Sequence, residues 1–288
     1  MERGEATGVI ASPGRTETAA FSGLGTLSGQ LTELRRVARV PVVHSFLCML
    51  STQLDEEILQ LSPAQRAAHL EHGLDIATWA SSTAVECPTL KYLSSSSVTL
   101  VLTFAIQLAN FRYVWAQNGS FPAAAATGHS QGLAAAIVVA LTGSERTFDE
   151  YAALFARALL RFGLAVARHV PCADTEGGYA LAVLKWSTSE VAALIERSGC
   201  PVHLVVRNGA CACTLTGRPA ALATFHQMLP AGVSSKRLAV PAPFHALGSV
   251  VSSTDAADPH PGPHPDPHPD PDRRPRPLSE SVVCATDA

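Results

Sequence analysis

Thr127-Gly128-His129-Ser130-Gln131-Gly132, followed without a break by the apolar run Leu133 to Leu141, is the stretch on which the fold turns. A Gly-x-Ser-x-Gly turn between a strand and a helix keeps glycines on either side of the serine, because the turn is sharp and two backbones approach closely. Such an elbow lifts the Ser130 hydroxyl clear of the fold. It also aims the backbone N–H of Gln131, at the head of the next helix, at the place where a tetrahedral oxyanion forms. Upstream, apolar residues from Phe104 to Trp115 recur at helical spacing, and the small-residue run Pro122 to Ala126 is read as the short strand feeding the turn. Leu133 to Leu141 contains no Pro or Gly and is read as a buried helix, too short to cross a bilayer. A glycine-rich turn at the head of an ordinary helix is the plainer reading of the same residues.

Working outward, the region 178–239 alternates between two periods. Period-two stretches Tyr179 to Trp186, Val202 to Arg207, Cys211 to Thr216 and Lys236 to Val240 are read as strands. Period-3.6 stretches Thr188 to Ser198 and Pro219 to Met228 are read as helices. The order is βαββαβ, the ferredoxin-like pattern. The fold class expected is therefore α/β: a hydrolase-like core carrying the elbow, over 1–177 and 240–250, with a ferredoxin-like subdomain at 178–239 inserted between Ser130 and His245. From 251 to 288 the composition changes to Pro, His and Asp, as in Asp258-Pro259-His260-Pro261-Gly262-Pro263-His264-Pro265-Asp266. Such a tail cannot bury a core and is expected to be disordered and extended. Its three histidines are read as solvated rather than metal-binding.

Composition agrees with a globular chain. The 288 residues are 47% hydrophobic, enough for a sizeable core. A net charge of -3 and the absence of a basic stripe argue against nucleic acid, and the first twenty residues lack an apolar signal core. No membrane association is expected, and a cytoplasmic location is. The seven cysteines, Cys48, Cys87, Cys172, Cys200, Cys211, Cys213 and Cys284, show neither metal-ligand nor framework spacing and are read as reduced thiols. No metal site is expected. Cys211 and Cys213 alternate in an expected strand and are assigned to packing.

His129-Ser130-Gln131-Gly132-Leu133 resembles the acyltransferases that load acyl thioesters onto carrier proteins, and most closely the acetyltransferase domain of the fungal-type fatty acid synthase beta subunit and of fused bacterial type I synthases. Further stretches agree in order: Phe21-Ser22-Gly23-Leu24-Gly25, Gly73-Leu74-Asp75-Ile76-Ala77-Thr78-Trp79, Gln107-Leu108-Ala109, Arg207-Asn208-Gly209 and Pro243-Phe244-His245. The resemblance covers about residues 18 to 247. Members of the family continue past the histidine with more of the core, so this chain resembles a truncated or divergent copy.

The resemblance implies a two-step acyl transfer without a bound cofactor. Ser130 is the nucleophile and His245 its base; acyl-CoA is the donor, and the phosphopantetheine thiol of an acyl carrier protein is the acceptor. The backbone N–H groups of Gln131 and Leu24 form the oxyanion hole, Leu24 standing where the family has Gln. His129 is assigned to packing or hydrogen bonding within the elbow rather than to the base. Malonyl-transferring relatives place an Arg-Gly pair on a helix after the elbow, where this chain has Phe162-Gly163; Phe162 in the substrate pocket implies an uncharged acyl group, acetyl first. Arg157 and Arg161 are close enough in sequence that a one-residue slip restores an arginine. Asn208 is expected beside the pocket in an Asn-Gly turn. Other synthase subunits are possible partners. Two other classes stay open: a serine hydrolase or thioesterase, which needs an Asp or Glu behind His245, and a non-catalytic remnant that binds carriers.

Overall fold

The computed structural model describes residues 17–24, 27–81, 87–121, 123–170 and 178–246. Gly25, Pro122, Cys172, Cys284 and the segment 251–288, with the disorder expected of it, lie outside the described residues. The chain enters on β1 (Thr18–Phe21) and continues through α1 (Leu27–Val37), α2 (Pro41–Leu59), α3 (Pro63–His69), α4 (Ile76–Ser81), α5 (Leu90–Leu93) and α6 (Ser96–Asn118). Then come β2 (Ala125–Gly128), α7 (Gly132–Leu141) and α8 (Glu145–His169). The remaining elements are β3 (Ala180–Leu184), α9 (Thr188–Ser198), β4 (Val202–Gly209), β5 (Ala212–Gly217), α10 (Pro219–Gln227) and β6 (Ser234–Leu238).

Helix α6 is the axis of the larger core. It is buried without interruption from Ser96 to Ala109 and touches α1, α2, α5, α7 and α8. A helix wrapped on all sides shows little amphipathic contrast, which is why the spacing marks only its later half, Phe104 to Trp115. By length and composition α6 could cross a membrane; here its apolar surface is satisfied by the protein itself. Beyond it, Phe111 stacks on Phe148 of α8 at 5.9 Å and meets Phe21 of β1 at 6.3 Å and Phe121 at 5.4 Å. These rings tie the first strand to the helices on either side of the elbow.

Strands β1 and β2 pair in parallel, from Thr18 opposite Ala125 to Phe21 opposite Gly128. Strand β2 therefore starts three residues later than the Pro122-to-Ala126 reading and runs into the elbow itself, because the ladder continues as far as Gly128. Helix α7 is not fully buried: Leu133 is 54% and Leu141 52% exposed. They share a face with Ile137 at spacings of four, and only the opposite face, through Ala135, Val138 and Val139, enters the core.

The second sheet has the order β4-β5-β3-β6, each neighbouring pair antiparallel. Leu181, Val183, Cys213 and Leu215 point to one face and pack against Val191 of α9 and Leu222 and Phe225 of α10. A capping box between Ser187 and Glu190 starts α9, and Pro219 occupies the first turn of α10. Cys213 is buried, and burial pushes its thiol up. Cys211 is not in a strand; it lies exposed between β4 and β5, which removes its expected packing role.

Candidate active site

The elbow is built by close approach. A Cβ on Gly128 would run into the carbonyl of Gly132, and one on Gly132 into the carbonyl of Phe21, so neither position has room for a side chain. Ser130 sits between them with φ at 52°, in the left-handed region that ordinary side chains avoid. His129 N–H donates to the Phe21 carbonyl at 2.9 Å, and Leu133 N–H donates to the Ser130 carbonyl at 3.0 Å as α7 begins. The strained turn is thus held at both ends.

His245 arrives from the far side of the second sheet. Tyr179 N–H donates to the Val240 carbonyl at 2.8 Å, Phe244 N–H to Ala242 at 2.9 Å and Ala246 N–H to Pro243 at 2.9 Å, which coils the segment into a short turn. Ala242 is buried with Val166 and Val170 at the end of α8 and with Tyr179 before β3. The result brings Ser130 Oγ and His245 Nε2 to 2.8 Å, although 115 residues separate them. His129, beside the serine, instead lies next to Gly23, where an added Cβ would stand 3.3 Å from its Nδ1 and 3.4 Å from Ser130 Cβ.

Both expected oxyanion residues are at this place. Leu24 borders the same cavity as Ser22, Gly23, His129, Ser130 and His245, and Gln131 is buried at the head of α7. The cavity encloses about 250 Å³. Its far wall is the open face of the second sheet, Ala180, Val205, Val206, Thr214, Thr216 and Leu238, closed by Val240, Ala242 and Phe244. The sequence reading did not identify these wall residues. Their signal is the strand alternation: Ala180 pairs with Thr216 and Ala182 with Thr214, one residue out of phase with the buried Leu181, Val183, Cys213 and Leu215.

Phe162 is placed differently from expectation. It does not border the cavity; it is 45% exposed, and its ring lies 6.1 Å from that of Phe244, which does. Helix geometry gives the reason. Gly163 presses against Ser96 and Ser97 of α6, and a 100° step per residue turns Phe162 off that face. Asn208 is likewise not in a turn: it sits within β4 at the register shift between Arg207 and Gly209, exposed, and its amide donates to Thr214 Oγ1, which borders the cavity, at 3.3 Å. Arg161 is occupied with Glu57 of α2 at 2.5 Å. Neither Arg161 nor Arg157 borders the cavity, and none of the lining residues is Asp, Glu, Lys or Arg. Among the described residues no carboxylate bonds to His245, and no group of three His, Cys, Asp or Glu side chains is arranged to hold a metal.

A family model described as the starter unit:ACP transacylase in aflatoxin biosynthesis matches residues 24–245, from Leu24 at the cavity to the histidine paired with Ser130. The chain belongs to this family. Solved acyltransferases share the fold of this family member. The acyltransferase domain from the second module of the salinomycin polyketide synthase is 25% identical, with a TM-score of 0.54 over 84% of this chain and 49% of its own. MCAT from Mycobacterium tuberculosis is 20% identical, TM-score 0.54, over 83% of this chain and 69% of its own. The loading acyltransferase of the avermectin modular polyketide synthase is 19% identical, TM-score 0.52, over 78% and 62%. The chain thus spans roughly half to two thirds of the length of these structures. No curated protein matches the chain in sequence.

Proposed function

We propose that the chain transfers an uncharged starter acyl group from acyl-CoA to the phosphopantetheine thiol of an acyl carrier protein, through an acyl-Ser130 intermediate. The observation that carries this reading is the 2.8 Å contact between Ser130 and His245 at the mouth of an apolar cavity, with the backbone of Leu24 and Gln131 beside it. His245 Nε2 takes the Ser130 proton as Oγ attacks the thioester carbonyl. The N–H groups of Gln131 and Leu24 receive the negative charge on the carbonyl oxygen. Collapse expels CoA as its thiol, with His245 returning the proton. In the second half the carrier thiol gives its proton to His245, attacks the acyl-serine and leaves as the new thioester, restoring Ser130. No other cofactor takes part.

The uncharged preference rests on the lining. A malonyl carboxylate in this cavity would meet aliphatic side chains and the hydroxyls of Thr214 and Thr216 but no lysine or arginine among the described lining residues, and a buried charge without a cation is strongly disfavoured. The cavity is also larger than an acetyl group needs, so short aliphatic chains beyond acetyl fit the same wall. The closer relation to the fungal-type synthase beta subunit rests on the sequence resemblance of the Gly73 to Trp79 segment, which packs in the core, where the Tyr92 hydroxyl donates to the Gly73 carbonyl at 2.6 Å and Trp79 is buried. With it go a hydrolase-like core, a ferredoxin-like unit at 178–239, other synthase subunits as partners and a cytoplasmic setting.

The test follows the acyl group. Purified chain mixed with acetyl-, butyryl- or malonyl-CoA is offered either water alone or pantetheine, and thioester and free acid are quantified. The reading expects acetyl and butyryl to reach pantetheine far faster than water, and malonyl to lag at least about 100-fold, the scale of an unpaired buried charge. Release as free acid at the same rate with or without thiol would make the protein a hydrolase.

A further inference from the structure

Two glutamine side chains sit in the apolar core directly behind the oxyanion loop and the elbow, and the acyl-transfer mechanism does not use them. Gln107, buried on α6, donates from its amide to the carbonyl of Ser22 at 2.6 Å. Gln131, equally buried, donates from its amide to the carbonyl of Leu100 at 2.8 Å. Leu100 and Gln107 are two helical turns apart on α6 and therefore lie on one face of it. One helix face thus grips both backbone segments beside Ser130: the 22–24 loop through Gln107, and the start of α7 through Gln131.

The cost of this arrangement shows that it does more than fill space. The Oε1 atoms of both glutamines and the hydroxyl of Thr103, one turn before Gln107, are buried without a partner among the described residues. Leu or Met would pack at either position without orphaned oxygens, so burial alone does not favour an amide. What the amide of Gln107 supplies is the orientation of one peptide plane. In a trans peptide the N–H lies anti to the preceding carbonyl. Drawing the Ser22 carbonyl toward α6 therefore turns the Gly23 N–H away from α6 and sets the direction from which Leu24 continues along the cavity. Gly23 borders the cavity beside Ser130, and a Cβ added to it would stand 3.4 Å from Ser130 Cβ, so a rotation of this plane is felt at the reacting atoms.

We propose that Gln107 is a positioning residue for the oxyanion hole, holding the Ser22–Gly23 peptide so that the 22–24 backbone presents its N–H groups to the acyl oxygen, with Gln131 bracing the opposite donor from the same helix. It touches neither substrate nor Ser130. The proposal rests on the acyl-transfer reading of Ser130 and His245.

Three variants test it. Gln107→Met keeps the volume and removes the donor; Gln107→Asn keeps the amide but falls one methylene short; Gln107→Glu can donate only when protonated. Single-turnover acylation by acetyl-CoA is followed by quenched intact-protein mass. Gln107→Met is expected to slow acylation about 10- to 100-fold, a fraction of the loss seen when an oxyanion donor is removed outright, while the acetyl-CoA concentration for half-saturation changes little. The rate of Gln107→Glu relative to the unmodified chain is expected to rise as pH falls, because its buried carboxyl regains a proton to donate. Gln107→Met acylating at the unmodified rate overturns the proposal, as does a pH-independent ratio for Gln107→Glu. If Gln107→Met does not fold, Gln107→Asn is judged by the same readouts. Amide exchange separates this from the functional reading: Gly23 and Leu24 amides exchanging at least about 10-fold faster in the variant, with an unchanged unfolding midpoint, support the clamp even if no acyl-serine forms. Unchanged exchange at those amides overturns it.

Discussion

Ser130 carries a conformational cost that only its chemistry justifies. Its φ of 52° puts a Cβ where L-residues are disfavoured, and the flanking Gly128 and Gly132 have no space to adjust. Ser130→Gly is therefore expected to be more stable than Ser130→Ala by about 1 kcal/mol in urea unfolding, although neither forms an acyl adduct. Equal stability of the two would show that the turn is relaxed. The acyl-binding wall gives a second outcome at this scale. Val206 lies in it on β4, and Val206→Phe should depress butyryl transfer at least about 10-fold relative to acetyl by filling the far end of the cavity. Phe162, set behind Phe244, should tolerate Leu with little change in that ratio. The sequence made Ser130 and His245 legible because each lies in a local pattern, an elbow and a Pro-Phe-His turn. It left Phe162 misplaced because the 100° step that separates it from Gly163 is invisible without knowing which face α6 covers.

At the scale of elements, helix α8 depends on its first turn. A capping box joins Ser144 and Thr147, and Glu145 reaches Arg112 of α6 at 2.7 Å, an ion pair to an arginine otherwise buried against Trp115 and Phe148. Glu145→Ala removes that ion pair from the buried guanidinium, and a loss of about 1–3 kcal/mol is expected, checked by chemical denaturation. Asp149, one turn on, behaves oppositely. Burial, opposed by Arg112, holds its carboxyl above the usual range, and its Oδ1 is buried without a hydrogen-bond partner among the described residues. The folded chain keeps this proton at a pH where the unfolded chain has lost it, so stability falls as pH rises through the raised value. Asp149→Asn should stabilise the chain at neutral pH, with the gain vanishing below the ordinary carboxylate value of about 3.9; a gain that persists in acid would contradict this. The elements of 180–238 were readable because one face of each strand and helix meets a single small core and the other does not, giving clean periods. Residues 96–103 of α6 gave no period, being buried all round, and β2 was misregistered because small residues carry no contrast between faces.

For the molecule as a whole, the larger core leaves part of itself uncovered. Helix α7 contains no polar side chain, yet Leu133, Ile137 and Leu141 form an outward stripe, and among the described residues β2 pairs only with β1. A helix that is apolar all round is stable in water only when covered. Self-association is expected at micromolar concentration, and Leu133→Glu with Leu141→Lys should shift light scattering toward the monomer without disturbing Ser130, which faces the cavity. A monodisperse unmodified chain would show that the stripe is harmless. The two subassemblies together form one reacting pair: a serine on the helical core meets a histidine that follows the second sheet. Its most direct test is intact-protein and peptide mass spectrometry after mixing the chain with acetyl-CoA, beside Ser130→Ala and His245→Ala. An acetyl adduct confined to the peptide containing Ser130, absent from Ser130→Ala and slowed about 1,000-fold or more in His245→Ala, is the expected result. A folded chain that acquires no adduct, or one that acquires it equally in both variants, would contradict the account.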